Sequence, residues 1–347
     1  MKSCFDFETF HIISEEVNLS LLISLKSINP IMKELKFRNQ DSIPALGLGT
    51  WKAKPEEVED AVYEAIKAGF RHIDCAAIYQ NEQAVGRGIH KAINEKICSR
   101  EELFITSKLW NSYHKKYDVE PALIKTLKDL QLKYLDLYLI HWPVALKKEK
   151  IFPKSDDDFL SNDEAPLHET WIKMLEMRDK GLIHHAGVSN FSIHHFKMLA
   201  EKELELPEIN QVEMHPYLSQ NELVQYCNKN KILLTAYSPL GSGDRPDNLK
   251  AEDEPVLMQD KTVQQVAEKH NSSAANILLA WALQRNTVAI PKSTNPKHIQ
   301  ENLNAYNIAL GRDDMTKLDE LNKDYRYVDG SFWTMEGSPY SMEDLWG

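Results

Sequence analysis

Cysteine is scarce in this sequence, and its few copies are scattered. Only Cys4, Cys75, Cys98 and Cys227 occur among 347 residues, and no two of them stand at the short spacing of a zinc or redox motif. The sequence therefore gives no support for a disulfide framework or for a cysteine-ligated zinc site. A reducing, cytoplasmic location is the expectation.

Long apolar runs and an excess of positive charge are also missing. The longest apolar stretches have the length of strands, so the sequence predicts no membrane-spanning helix. Lysine and arginine total 41 against 52 aspartate and glutamate residues, which gives a formal net charge of −11. Such a chain repels polyanions on average, and this argues against nucleic-acid binding. With 42% hydrophobic residues, the chain can bury a large core in one big α/β domain or two ordinary ones.

Residues 1–31 lack the features of a secretory signal. Their apolar segment, VNLSLLISL, follows acidic residues rather than a basic stretch, and no small-residue cleavage site comes after it. Met32 begins the segment MKELKFRNQDSIPALGLGTW, which is typical of the start of a globular domain. We interpret residues 1–31 as a dispensable extension of a single domain that spans residues 32–347. Deleting the extension should leave folding and activity intact.

From residue 44 onward, strand-like and helix-like segments alternate. The first unit pairs ALGLGTW with KPEEVEDAVYEAIKAGF, in which Pro55 opens a helix with one apolar face and Gly69 ends it. Residues 262–283 are predicted to be one helical stretch in the seventh unit. The further strands are RHIDCAA, LFITSKLW, LDLYLIHW, HHAGVSNF, EINQVEMHP, ILLTAYSPL and TVAIPKS. Mostly apolar strands are typical of parallel strands covered on both faces, so eight units predict an α/β fold, the (β/α)8 TIM barrel. An open doubly wound sheet is the alternative.

Polar residues recur where the predicted strands end. The catalytic face of a barrel lies at these ends, and the two long loops, residues 143–166 and 241–255, also follow strands. Each residue alone has an ordinary explanation as a turn residue, an amphipathic wall or a lysine that reaches water. Their succession favours one shared site. In strand order from the second, they are Asp74 with Tyr79, Lys108, His141, Ser189 with Asn190, Gln211, Tyr237, and Lys292 with Ser293.

The first four of these residues describe a proton donor. A tyrosine hydroxyl has an ordinary pKa of about 10, and an adjacent ammonium such as Lys108 lowers it by stabilising the phenolate. Asp74 would hold Lys108 in place and keep it charged. His141 could orient a carbonyl oxygen beside Tyr79. Because no serine or cysteine stands in a triad context, the nucleophile has to come from elsewhere.

The segment IPKSTNPKHIQEN after the last strand suggests that source. It contains Lys292, Ser293 and Thr294, then Asn295 as N-cap and Pro296 as the first helical residue. A lysine beside a helix that follows the eighth strand of a barrel favours phosphate. A nicotinamide dinucleotide, which carries phosphates and donates hydride, would complete the reaction.

Two competing motifs are weak. GLGTW lacks the third glycine of a dinucleotide-binding fingerprint. The doublets His184-His185 and His194-His195 lack carboxylate or cysteine partners at ligand spacing, so we predict surface or turn positions for them and no metal site.

Seven ordered motifs make the chain resemble the aldo-keto reductase superfamily, in particular the aldose reductase and aldehyde reductase group. They are GFRHIDCAAIYQNEQAVGRGI, ITSKLW, YLDLYLIHWP, GVSNF, NQVEMHPY, AYSPLGS, and IPKS followed by EN. The resemblance implies a barrel with a short N-terminal β-hairpin and long catalytic-face loops. It also implies metal-free, NADPH-dependent reduction of aldehydes or ketones to alcohols.

The resemblance further implies roles for individual residues. Asp74, Tyr79, Lys108 and His141 would form the catalytic tetrad, with Tyr79 as proton donor. The substrate pocket would consist of Trp51, Tyr79, Trp110, His141 and Trp142. The implied NADPH-binding residues, among which Tyr237 would stack on the nicotinamide, are Thr50, Trp51, Asp74, Ser189, Asn190, Gln211, Tyr237, Ser238, Leu240, Ser242, Asp244, Lys292, Ser293, Thr294, His298, Glu301 and Asn302.

His298 departs from the group, most of whose members carry an arginine at this position. Histidine is mostly neutral at pH 7 and offers no bidentate fork to a 2′-phosphate. The preference for NADPH should therefore rest on Lys292 and be relaxed towards NADH.

The C-terminal segment YVDGSFWTMEGSPYSMEDLWG corresponds to the variable loop that shapes substrate choice in this group. Most of its aromatic residues, Phe332, Trp333, Tyr340 and Trp346, are expected to pack the segment onto the barrel. The main functional alternative is a catalytically silent binding or structural protein of the same fold, and a zinc- or Rossmann-type dehydrogenase is a more distant one. We expect a monomer that acts on a small-molecule carbonyl substrate.

Overall fold

The computed structural model describes residues 33–245, 250 and 252–347. The predicted extension, residues 1–31, lies outside the described residues. The described chain opens with an antiparallel hairpin of β1 (Glu34–Lys36) and β2 (Ser42–Pro44). The short N-terminal hairpin that the resemblance implied is therefore present.

Eight parallel strands follow and close into a barrel. The Gly47 N–H donates to the Ala289 carbonyl at 2.9 Å, and the Ala289 N–H donates to the Ala45 carbonyl at 2.8 Å, which joins the first strand to the last. The predicted (β/α)8 barrel is confirmed, and the open sheet is wrong. The barrel strands are β3 (Leu48–Gly49), β4 (His72–Asp74), β5 (Phe104–Leu109), β6 (Leu135–Ile140), β9 (Ile183–Ser189), β10 (Ile209–Glu213), β11 (Leu233–Tyr237) and β12 (Val288–Ala289).

Helices surround the barrel and follow its strands. Pro55 begins the first helix, and Gly69 ends it with a left-handed φ of 119°, as predicted. The Asn295 side chain caps the helix after β12 by accepting from the Lys297 N–H at 2.9 Å. The helices of the described residues are α1 (Pro55–Ala68), α2 (Glu82–Asn94), α3 (Val119–Leu130), α4 (Leu167–Asp179), α5 (Ile193–Glu201), α6 (Asn221–Lys229), α7 (Lys261–Lys269), α8 (Ala274–Gln284), α9 (Pro296–Asn302), α10 (Arg312–Asp319) and α11 (Met342–Trp346).

The prediction of a single helix over residues 262–283 is wrong, because the chain turns between α7 and α8. Asn271 adopts a left-handed φ of 48°. The Ser273 hydroxyl then accepts from the Asn276 N–H at 3.2 Å and starts a new helix. Asparagine and serine side chains compete with helical backbone bonds and favour turns and caps, which gives this break its cause.

Each of the two histidine doublets has one exposed and one buried member. His184 and His194 are exposed, whereas His185 and His195 are buried, so the prediction of surface positions is wrong for the latter two. Neighbouring residues of a strand point to opposite faces, and this sends His185 inward. There its ring stacks on Phe37 of the hairpin, with 3.9 Å between ring centroids. Its carboxylate partners come from distant parts of the chain, which linear spacing could not reveal.

Three segments cover the C-terminal end of the barrel. The loop of residues 143–166 follows β6 and contains a hairpin of β7 (Ala145–Leu146) and β8 (Phe159–Leu160). The described part of the loop of residues 241–255 follows β11. The C-terminal tail, residues 327–347, packs beside the first loop through an aromatic cluster whose buried members are Trp110, Trp142, Val144, Leu146, Phe159, Trp333, Tyr340 and Leu345.

The described residues contain neither a metal-binding cluster nor a membrane-spanning helix. No group of three or more histidine, cysteine, aspartate or glutamate side chains within them could hold a metal ion. None of the helices formed by those same residues is long and apolar enough to cross a membrane.

Candidate active site

A buried ion pair lies inside the C-terminal end of the barrel. Lys108 on β5 donates from Nζ to Oδ1 of Asp74 at 2.5 Å and to the Cys75 carbonyl at 2.8 Å, and the same nitrogen lies 3.5 Å from the Tyr79 hydroxyl. Lys108 is 0% exposed and Asp74 is 2% exposed. The second carboxylate oxygen of Asp74 accepts from Gln211 Nε2 at 2.7 Å. The cation is thus fixed and neutralised beside the tyrosine.

Burial, more than Lys108, sets the pKa of Tyr79. The ring is partly exposed to the cavity above it, but protein atoms enclose the hydroxyl closely. This burial raises the pKa of Tyr79 to about 12, while the Lys108 ammonium lowers it by less. The prediction that Lys108 lowers the tyrosine pKa describes that contribution correctly but is wrong for the net shift. At neutral pH Tyr79 is therefore a protonated hydroxyl.

Lys108 keeps its charge in this setting. Burial by itself lowers the pKa of Lys108, but the Asp74 carboxylate and smaller contributions, including Tyr79, raise it by more, and the net shift is upward. The ammonium form is accordingly stable at the bottom of the site.

His141 follows β6 directly and lies beside Tyr79. Its ring meets Tyr79 edge-on, with 5.9 Å between centroids. Burial first, and then the positive charge of Lys108, hold the pKa of His141 well below its ordinary value, so the imidazole is neutral. Its Nδ1 atom is enclosed and has no hydrogen-bond partner among the described residues. This leaves Nε2 as the ring nitrogen available to a group in the cavity.

Hydrogen bonds join the predicted cofactor residues of β9, β10 and β11 into one wall. The Ser189 hydroxyl donates to the Gln211 carbonyl at 2.8 Å. Asn190, held at a left-handed φ of 61°, donates from Nδ2 to the His141 carbonyl at 2.9 Å. The Tyr237 hydroxyl donates to Oδ1 of Asn190 at 2.8 Å. The wall therefore presents an aromatic face next to fixed amide and hydroxyl groups.

These side chains open into a cavity of about 730 Å³, which is within the range of small-molecule sites. Lys108 lies beneath it and does not line it. The predicted residues that line the cavity are Thr50, Trp51, Asp74, Tyr79, Trp110, His141, Trp142, Ser189, Asn190, Gln211, Tyr237, Ser238, Leu240, Ser242, Asp244 and Lys292.

One end of the cavity is basic. Asp244, in the loop after β11, forms ion pairs with two lysines. One is Lys52, which follows β3, and the other is Lys292, which follows β12 and lies 3.3 Å from the Asp244 carboxylate. Lys52 also donates to the Ser242 hydroxyl at 3.3 Å. The sequence reasoning missed Lys52, although the rule of polar residues at strand ends could have found it. The predicted residues outside the lining, all beyond Lys292 on or just before α9, are Ser293, Thr294, His298, Glu301 and Asn302.

The other end is aromatic and includes residues that the sequence did not indicate. Phe152 from the loop of residues 143–166 stacks on Trp333 of the tail, with 5.8 Å between centroids and 18° between planes. Trp110 Nε1 donates to the Ile151 carbonyl at 3.0 Å and so fixes this loop over the cavity. Trp333 is one of four tail aromatics most of which were expected to pack the tail onto the barrel, and it both packs there and lines the cavity. The additional lining residues of this end are Ile78, Phe152, Val328, Phe332 and Trp333.

Residues 45–323 match the model of the Aldo/keto reductase family, and the chain belongs to this family. It is therefore an oxidoreductase that acts on carbonyl groups, and the resemblance stated from the motifs is confirmed. The zinc- or Rossmann-type dehydrogenase is excluded with it.

Individual relatives are similar over most of their length. "Aldo/keto reductase slr0942" of Synechocystis is 49% identical over 324 residues, which cover 93% of this chain and 99% of that protein. The chicken protein "Aldo-keto reductase family 1 member A1" is 44% identical over 303 residues, covering 87% of this chain and 92% of its own. The human protein of the same name is 45% identical over 288 residues, covering 82% and 88%.

Proposed function

We propose that the chain reduces aldehydes or ketones to alcohols, with NADPH as hydride donor and Tyr79 as proton donor. The observation that carries this proposal is the contact of a protonated Tyr79 hydroxyl with a charged, buried Lys108 at the floor of the cavity. When bound, NADPH supplies the hydride. The donor set fits such a cofactor, because the cavity combines the Tyr237 ring and neighbouring amides with two lysines at its basic end.

The chain's own residues handle the proton. The carbonyl oxygen gains negative charge during reduction and becomes a stronger base than a phenolate, so the Tyr79 hydroxyl protonates it. Lys108 stabilises the resulting phenolate, and Asp74 keeps Lys108 charged and immobile. His141, neutral under these conditions, donates from Nε2 to the carbonyl oxygen and orients it. Aromatic side chains around this point exclude water.

Replacing Tyr79 by phenylalanine tests the proposal. With an aromatic aldehyde, we expect loss of NADPH absorbance to slow by roughly 10²–10⁴-fold, the usual contribution of a general acid. Titration calorimetry should find NADPH binding unchanged. Tyr63→Phe, on the outer side of α1, is the matched control and should keep full activity. If the wild type binds NADPH but turns over none of a varied set of aldehydes, the silent-protein alternative is favoured.

We also propose that Lys292, Ser293 and Thr294 hold the 2′-phosphate of NADPH, and that Glu301 and Asn302 contact its adenine. His298 is exposed on α9 and cannot form the paired hydrogen bonds that an arginine makes with phosphate. His298→Arg should therefore raise the ratio of kcat/KM for NADPH to that for NADH by about 10-fold, the equivalent of one charge-assisted hydrogen bond. His298→Gln should leave the ratio unchanged. No increase with arginine would refute a role for this position in cofactor choice.

Residues 32–347 are proposed to form a single domain that acts as a cytoplasmic monomer on small carbonyl compounds. The three described cysteines, Cys75, Cys98 and Cys227, are buried and free, in keeping with a reducing compartment. Sedimentation velocity of residues 1–347 and of residues 32–347 tests the monomer and the extension together.

A further inference from the structure

A buried polar cluster behind the tetrad has no part in the chemistry described so far. Glu82, the first residue of α2, is 4% exposed. Its Oε1 accepts from the Ser107 hydroxyl at 2.6 Å, and its Oε2 accepts from the Thr126 hydroxyl at 3.2 Å. Ser107 directly precedes Lys108 on β5, and Glu82 comes three residues after Tyr79. The carboxylate therefore connects the segment that carries the tyrosine to the strand that carries the lysine.

The segment around Tyr79 is short and held on both sides. Tyr79 ends a single 3₁₀ turn, and Gln80 after it has a left-handed φ of 56°. On one side the Asn81 side chain donates to the carbonyls of Thr50 and Ala53 after β3, at 3.0 and 2.9 Å. On the other side Glu82 accepts the hydrogen bond from Ser107 on β5. Since successive residues of a strand point to opposite faces, Ser107 faces Glu82 while Lys108 faces the barrel interior.

We propose that Glu82 is a positioning residue that fixes the distance between the Tyr79 hydroxyl and the Lys108 ammonium. This distance of 3.5 Å is longer than the other two contacts of Lys108, at 2.5 and 2.8 Å, and stands at the outer limit of a hydrogen bond. A shift of a few tenths of an ångström away from β5 removes the interaction. The inference rests on the proposed function, in which Tyr79 donates the proton.

The groups around Glu82 set its pKa, and its protonation state determines how it bonds to Ser107 and Thr126. Burial raises the pKa of Glu82 to about 7, hydrogen bonds from Ser107 and Thr126 lower it by less, and on α3 Asp129 raises it while Lys125 lowers it slightly. The ionised form accepts from both hydroxyls at once, whereas the protonated form has to donate through one oxygen. The other titratable groups that interact with it are Cys75 and Tyr138.

Ser107→Ala removes one end of the link, and Glu82→Gln can accept from only one of the two hydroxyls because an amide has a single acceptor oxygen, so the proposal does not depend on a single variant that folds. We expect kcat to fall by about 10-fold, since a displacement of well under 1 Å is enough to cost that much. The KM for aldehyde and the Kd for NADPH should stay within about twofold of the wild type, because Glu82 touches neither. The variants combined should be no slower than the worse single one, as expected for two ends of one bond.

The pH dependence separates positioning from general damage. With Lys108 further away, Tyr79 loses a stabilising charge and its pKa rises, so the basic limb of the kcat profile should move to higher pH. Ultraviolet difference titration of each variant against its Tyr79→Phe counterpart measures the same shift in the pKa of Tyr79 in the absence of turnover. The control is Glu208→Gln, because Glu208 is an equally buried carboxylate that bonds to His185 at 2.7 Å, at the opposite end of the barrel.

The outcomes are distinct. If Glu82→Gln and Ser107→Ala leave kcat and the Tyr79 titration as in the wild type, Glu82 is structural only and the proposal is overturned. An increase of KM and Kd in step with the fall of kcat overturns it as well. If the wild type and Glu208→Gln turn over no aldehyde, the proposed function fails, while the Tyr79 titration still decides whether Glu82 positions the tyrosine.

Discussion

Replacing Lys108 by methionine removes the cation from the ion pair at the floor of the site. Methionine fills a similar volume but supplies neither charge nor hydrogen-bond donor, so Asp74 stays buried with Gln211 as its remaining side-chain partner. Breaking one side of a buried ion pair costs about 3–5 kcal/mol, and we expect Lys108→Met to lose this amount of unfolding free energy. That is a large part of the roughly 5–15 kcal/mol that stabilises a typical protein.

Activity and stability should respond differently when the carboxylate is removed as well. Lys108→Met alone should lower kcat by roughly 10²–10⁴-fold, because Tyr79 loses the charge that stabilises its phenolate. In Lys108→Met/Asp74→Asn no unpaired charge remains, so the double variant should regain at least about half of the lost stability. It should regain none of the activity.

Urea unfolding followed by tryptophan fluorescence measures the stability, and NADPH absorbance measures the activity. Lys125→Met is the matched control, since Lys125 is 69% exposed and pairs with Asp129 on the surface of α3. Removing such an exposed pair should cost less than about 1 kcal/mol. If Lys108→Met also loses less than about 1 kcal/mol, or if the double variant is no more stable than the single one, the reasoning about a buried, mutually dependent pair is refuted.

Two further predictions concern substrate charge and pH. The aromatic end of the cavity has no cationic side chain among the described lining residues, and the two lysines at the basic end are paired with Asp244. We therefore expect kcat/KM for 4-carboxybenzaldehyde to be at least about 100-fold below that for 4-nitrobenzaldehyde, and equal values would contradict an apolar substrate site. Glu82 has a folded pKa of about 7 against an ordinary 4.5, so between these values the folded chain keeps a proton that the unfolded chain has lost. The contribution of Glu82 to the free energy of unfolding, about 3 kcal/mol, is complete below about pH 4.5 and is lost as the pH rises through 7. Urea unfolding at pH 5 and pH 8 should accordingly show that Glu82→Gln abolishes this part of the pH dependence. The same difference in unfolding free energy between the two pH values for wild type and variant would contradict the prediction.

The barrel and the convergence of the tetrad could be predicted because their signals are local. Apolar strands alternate with amphipathic helices, and the polar residues Asp74, Lys108 and His141 stand in the last two positions of a strand or directly after it. Parallel strands in a closed barrel necessarily bring such ends together. Sequence order alone therefore indicated which side chains would share a site.

Features that depend on three-dimensional surroundings could not be predicted. The net pKa shift of Tyr79 follows from how closely the chain encloses its hydroxyl, which outweighs the neighbouring charge that the sequence revealed. Glu82 stands in a helical segment whose pattern gives no sign that its carboxylate reaches Ser107 on β5. Phe152 and Trp333 belong to separate loops, and only the packed structure joins their rings.

The tail residues that line the cavity and the residues proposed to deliver the proton belong to different stretches of the chain. The tail of residues 327–347 contributes Val328, Phe332 and Trp333 to the cavity, whereas the tetrad lies between positions 74 and 141. The tail rests on the barrel by side-chain packing and by hydrogen bonds such as those of the Tyr340 hydroxyl with Ala145 and Leu160. Under the proposed function, mutation or recombination at the far end of the coding sequence would therefore change which carbonyl compounds are accepted while the reaction chemistry is inherited intact.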